Sequence, residues 1–84
     1  MVIRPHIERR PEVQARAGIS RSTLYAQTSQ GLWPKSLKIA ARAVGWPSKE
    51  VDAVIEARIA GKTDEEIRLL VKNLEVARGK AGGV

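Results

Sequence analysis

Ala17-Gly18-Ile19-Ser20-Arg21-Ser22-Thr23-Leu24-Tyr25 reads as the end of one helix, a turn, and the opening of the next. Gly18 can take the left-handed backbone that closes a helix at low steric cost. Ser20 then offers its hydroxyl oxygen to an unpaired first-turn N–H, while Ile19 and Leu24 occupy the two positions of a hydrophobic staple. Such a junction fixes the angle between two short helices joined by a tight connection, the arrangement of a helix-turn-helix. The second helix presents Arg21, Ser22, Tyr25 and Ser29 outward, groups suited to phosphate oxygens and base edges.

The flanking chain supplies the rest of such a domain. Pro11 is acceptable at an initial helical position, and Val13 and Ala17 lie four apart, so a first helix is predicted from Pro11 to Ala17. The second helix spans Ser20 to Gln30 and stops at Gly31. Pro34 then biases Trp33 toward extended backbone. Ser36-Leu37-Lys38-Ile39 alternates polar and apolar, and Ala43-Val44-Gly45-Trp46 can return beside it across Ala40-Ala41-Arg42, giving a β-hairpin or wing over Trp33 and Trp46. The connection has no Asn-Gly or Asp-Gly pair to dictate its register.

Beyond Pro47, Ser48 is expected to cap a third helix whose Val51, Val54, Ile55 and Ile59 form a buried stripe and which Gly61 ends. Thr63-Asp64-Glu65-Glu66 reads as a capping box opening a fourth helix that reaches Ala77, with Ile67, Leu70, Val71 and Leu74 inward. Leu69 and Val76, seven apart, make a second apolar line available to a partner, and Gly79 and Gly82-Gly83 suggest a frayed tail. Residues 1–9 read as a loose arm, or a short edge strand at Val2-Ile3. The expected fold class is mainly α with a small β-hairpin, a winged helix-turn-helix over 10–61 plus a C-terminal helix and tail over 62–84.

Eighty-four residues make one small domain, with a core near the lower limit for independent folding. The net charge of +6 is unevenly placed. Met1 to Trp46 carries eight Lys/Arg against Glu8 and Glu12, whereas the remainder balances seven basic residues with seven acidic ones. The whole excess accompanies the proposed reading helix, as binding to a polyanion requires. The absence of cysteine excludes disulfides and thiolate metal sites, and His6 is a single histidine without the neighbours a zinc site needs. No apolar run approaches a membrane span and no secretory h-region opens the chain, so a cytoplasmic, nucleoid-associated protein is expected. No nucleophile–base set can be assembled, no glycine loop cradles phosphate, and no small-molecule substrate or cofactor is implied. Glu50, Asp52 and Glu56 read as a solvated face of the third helix.

The order of these elements resembles the AlpA-type prophage regulators, small DNA-binding proteins with a MerR-like or excisionase-like winged helix-turn-helix. The resemblance runs from Pro11 to Ile59 and rests on Gly18 to Tyr25, on Gly31-Leu32-Trp33-Pro34-Lys35, and on Val44-Gly45-Trp46 followed by Pro47 and a helix. It implies control of prophage or integrative-element genes, or excisionase-like assistance to an integrase. Gln14 departs from the alanine usual there and Gln27 from the usual apolar residue, although long side chains can lie along an interface with their tips in water.

The residues expected to meet DNA are Ser20, Arg21, Ser22, Thr23, Tyr25 and Ser29 on the second helix, and Lys35, Lys38 and Arg42 on the wing. Arg21 can fork onto guanine or clamp phosphate, and Ser20 and Thr23 divide between capping and contact. Tyr25 either reaches the duplex or fills the core, and its sequence position leaves both open. Lys35, Lys38 and Arg42 can follow the backbone or enter a minor groove, or simply protect an edge strand from aggregation. The partners expected are double-stranded DNA, and a second copy of the chain or an integrase. The competing readings are an antirepressor-like interaction module using the fourth helix, and an RNA-binding domain, which the sparse aromatics disfavour.

Overall fold

In a computed structural model that describes residues 6–82, the elements follow the order β1 (Ile7–Arg9), α1 (Arg10–Ala17), α2 (Arg21–Ser29), β2 (Leu37–Ala40), β3 (Ala43–Pro47), α3 (Ser48–Ile59) and α4 (Asp64–Gly82). Mainly helical with one small antiparallel sheet, this is the winged helix-turn-helix class read from the sequence. The turn between α1 and α2 forms as its residues dictate. Gly18 lies at φ 69° and donates its N–H to the Gln14 carbonyl at 2.8 Å. Ser20 accepts from the Thr23 N–H at 3.1 Å, and Leu24 is fully buried with Ile19 packed partly against the core.

The core is one cluster: Val13 of α1, Leu24 of α2, Leu32 and Trp33 of the connection, Trp46 of β3, Val51 and Val54 of α3, and Ile67 and Val71 of α4. Both tryptophans are buried, as expected. The Trp46 ring also satisfies its own polar atom, donating Nε1–H to the Pro34 carbonyl at 2.8 Å.

The sheet has the order β1-β3-β2. Its third strand lies within the stretch assigned to a loose arm: Ile7, Glu8 and Arg9 pair with Pro47, Trp46 and Gly45. Val2-Ile3, the candidate edge strand, lies outside the described residues. The wing turns on Ala41 and Arg42 alone, shorter than the expected connection, and a register irregularity between Lys38 and Ala40 accommodates the tight reversal without Asn or Gly. A Cβ at Gly45 would come within 2.5 Å of the Ile7 side chain, 2.6 Å of the Ile39 side chain and 2.9 Å of the Glu8 carbonyl oxygen, so a side chain at this position would displace both isoleucines and press on β1.

Three further expectations are corrected. Ser48 does not cap α3, because Pro47 holds the cap position, the Ser48 N–H is taken by the His6 carbonyl at 2.7 Å, and its hydroxyl donates to Glu8 at 2.7 Å. Arriving from β1 in place of an N-cap, Glu8 is itself buried and also pairs with Arg16. The acids of α3 are not simply a solvated face: Glu50 is buried and accepts a forked bond from Arg78, and Asp52 pairs with Arg16. Finally, α4 is helical through Gly79 to Gly82, beyond the end expected at Ala77, and Gly83 lies outside the described residues. Arg78 holds this last portion to the body of the domain through Glu50 and the Lys35 carbonyl.

Candidate nucleic-acid interface

Helix α2 buries Leu24 and turns the opposite side to solvent. Ser20 acts as the cap, and its Oγ lies 2.9 Å from Thr23 Oγ1 and 3.3 Å from Ser22 Oγ, so the three hydroxyls form one small network at the helix start. Arg21, Ser22 and Ser29 are exposed and Thr23 is half-buried. Tyr25 takes the outward of its two expected positions, 46% exposed, with the Arg21 guanidinium 5.6 Å from its ring centroid. The phenol is held below the usual tyrosine range, first by the Arg10 guanidinium beside its oxygen and then by Arg21.

Arg10 and its neighbour Arg9 are functional candidates that sequence reasoning missed. Standing at the junction of β1 and α1, they line a shallow cleft of about 170 Å³ with Pro11, Val44 and the wing-tip Arg42. Arg10 is steadied by Gln14, whose Oε1 accepts from its Nε–H at 3.2 Å. Thus the sheet gathers Arg42, Arg9 and Arg10 at one cleft, and on α2 the Arg21 guanidinium overlies Tyr25. The sequence signal was the Arg9-Arg10 pair ahead of Pro11, but its meaning depended on a wing tip more distant in the chain.

The other wing cations sit apart from that cleft. Lys38 is exposed on β2 opposite Val44. Lys35 is exposed on the approach to β2, and its peptide is engaged by α4: its N–H donates to Glu75 at 2.8 Å and its carbonyl accepts from Arg78 at 2.7 Å. His6 stands at the surface 3.6 Å from Glu12.

The described arginines divide into two sets. Arg16, Arg58 and Arg78 each pair with carboxylates, and Arg68 donates to the Gln30 carbonyl at 2.8 Å. Arg9, Arg10, Arg21 and Arg42 form no ion pair among the described residues. Guanidinium groups without internal acids keep their charge available to an external polyanion.

A family profile described as Prophage CP4-57 regulatory protein (AlpA) matches residues 6–59, from the residue before β1 to the end of α3. The chain belongs to the AlpA family of prophage regulators. The uncharacterized protein ORF88 of Enterobacteria phage P4 is 39% identical to this AlpA-family chain over 52 residues. The matched region is 62% of this chain and 59% of the phage protein, so it spans less than two thirds of that relative's length. No solved structure matches. AlpA membership points to a regulator rather than an enzyme, and α4 lies beyond the matched residues. No helix among the described residues is long and apolar enough to cross a membrane.

Proposed function

We propose that this AlpA-family protein binds double-stranded DNA, with α2 in the major groove and the 35–42 wing along the adjoining backbone or minor groove. The carrying observation is the segregation of its arginines: among the described residues, four of the five without an ion pair lie on and around α2 and the wing tip, and the fifth, Arg68, is engaged by the Gln30 carbonyl. Arg21, in the first turn of α2, is the residue for a guanine edge or a phosphate, and Tyr25 lies one turn further along the same side. Ser22 and Ser29 are exposed for backbone contact, while Ser20 and Thr23 serve first as the cap. Lys38 and Arg42 extend the footprint over the wing, with Lys35 at its margin.

One such domain offers few base contacts, so specificity follows from two or more copies on repeated sites, or from docking beside an integrase. Leu69 and Val76 remain exposed on α4 for that association. The regulatory act is control of transcription of prophage genes or excisionase-like assistance, carried out in the cytoplasm on the nucleoid.

Mobility shift or fluorescence anisotropy with DNA upstream of the protein's own reading frame, at a series of salt concentrations, tests the reading. About five phosphate contacts predict a slope of log affinity against log salt near −4 to −5. Arg21→Ala should weaken binding without unfolding the chain. Unchanged affinity in Arg21→Ala, with function abolished by Leu69→Asp, would instead establish the interaction-module reading.

A further inference from the structure

We infer that Arg9, Arg10 and Arg42 form a site for a backbone phosphate of duplex DNA, with Gln14 as the positioning residue that holds Arg10 toward it. This inference rests on the DNA-binding reading above and adds a docking point on α1 and β1. Three independent elements build the cleft: Arg9 ends β1, Arg10 opens α1, and Arg42 occupies the turn between β2 and β3. Pairing of β1 and β2 on either side of β3 brings them together.

The chemistry of the lining is one-sided. Three arginines line the cleft with Pro11 and Val44, and none of the three forms an ion pair among the described residues. The nearby Glu12 is already occupied, one carboxyl oxygen accepting from the Arg9 backbone N–H at 3.1 Å and the other standing 3.6 Å from His6. Like charges gathered without a counter-ion repel, so the arrangement is stabilised when an anion enters. Guanidinium forks match phosphate oxygens in both charge and geometry. Arg10 opens α1 and Arg21 opens α2, the two helices joined by the Gly18 turn, and this selects a phosphate of the same duplex that α2 reads rather than a free anion.

Gln14 gains a purpose here. It is a polar, half-buried residue on α1, and its amide oxygen fixes the Nε–H of Arg10 while the other guanidinium nitrogens lie outside that bond. An alanine would remove that restraint without removing a charge.

Anisotropy titrations of the full chain against its upstream duplex and a scrambled duplex of equal length, over a series of potassium chloride concentrations, test the site. Arg9→Gln and Arg42→Gln should each reduce the magnitude of the salt slope by about one and weaken both duplexes equally, preserving discrimination between them. Gln14→Ala should weaken binding in the wild-type background and add nothing to Arg10→Gln. Circular dichroism melting confirms that each variant is folded, and Arg42→Gln, in an exposed turn, serves if a substitution at Arg9 disturbs β1. If the wild type binds DNA and all these slopes stay unchanged, the phosphate site is wrong while the reading helix stands. If the wild type binds neither duplex, both proposals fall together.

Discussion

The α1–α2 junction and the connection between α2 and the wing each position one element of the candidate interface, by opposite means. At the junction the polar contacts that shape the turn are local: Gly18 returns to Gln14 and Ser20 caps Thr23, while Ile19 and Leu24 turn inward to the core. In the connection, residues 30–35 are gripped from far along the chain. Arg68 of α4 takes the Gln30 carbonyl, Glu75 the Lys35 N–H, and Arg78 the Lys35 carbonyl, while Trp46 takes the carbonyl of Pro34. Thus α4, outside the region matched by the AlpA family, braces the entry to the wing of the region inside it. Local signals set the start of α2, and long-range polar ties set the wing that follows it.

The strongest way to break this contrast is through Trp46. Trp46→Ala deletes a fully buried ring and leaves the Pro34 carbonyl without its donor, so unfolding by denaturant should show a loss of about 3 to 5 kcal/mol. In so small a domain that approaches the whole stability. Next, Glu50→Gln weakens the charged fork that fixes Arg78, at a cost of about 2 kcal/mol by the same measurement. Hydrogen exchange should then accelerate at the end of α4 and at the Lys35 amide, with α2 unaffected.

Substitutions at the junction should be milder and purely local. Gly18→Ala finds open space for its methyl group, so its cost is conformational alone, about 1 to 2 kcal/mol in chemical denaturation. The smallest effect is a matter of pH. Glu66 accepts from the Thr63 N–H at 2.9 Å, and that bond, with Thr63's hydroxyl, holds its carboxyl below the usual glutamate range. A depressed folded-state pKa contributes stability above the unfolded value and loses it as pH falls through the folded one. The melting-temperature difference between wild type and Glu66→Gln should therefore shrink on acidification.

The same contrast explains what the sequence disclosed. The α1–α2 turn, the Ser20 cap and the wing strands were legible because their determinants lie within a few residues of one another, whereas the stripe expected on α3 stops short: Val51 and Val54 are buried but Ile59, at the end of the helix, is 80% exposed. Glu8 was not legible: a charged residue in a short segment without period looks like solvent-exposed arm, and only pairing with β3 carries it to Ser48 and Arg16. Glu50 and Arg78 were opaque for the same reason, since their partnership exists only after α4 folds back on α3. At the candidate interface, Arg21 and Tyr25 could be chosen from helix periodicity, and Tyr25 proved outward. The shared cleft of Arg9, Arg10 and Arg42 was hidden because the sheet, not the helix, brings Arg42 to the other two. Lys35 was drawn to the wing by proximity in sequence, whereas its peptide belongs equally to the α4 brace.

The most direct test is an amide chemical-shift titration of the isotopically labelled chain with its upstream duplex. The account predicts that perturbations concentrate at Arg9 and Arg10, along 21–29, and around the wing at 38–42. Perturbations confined to α4, with those segments unmoved, would contradict it.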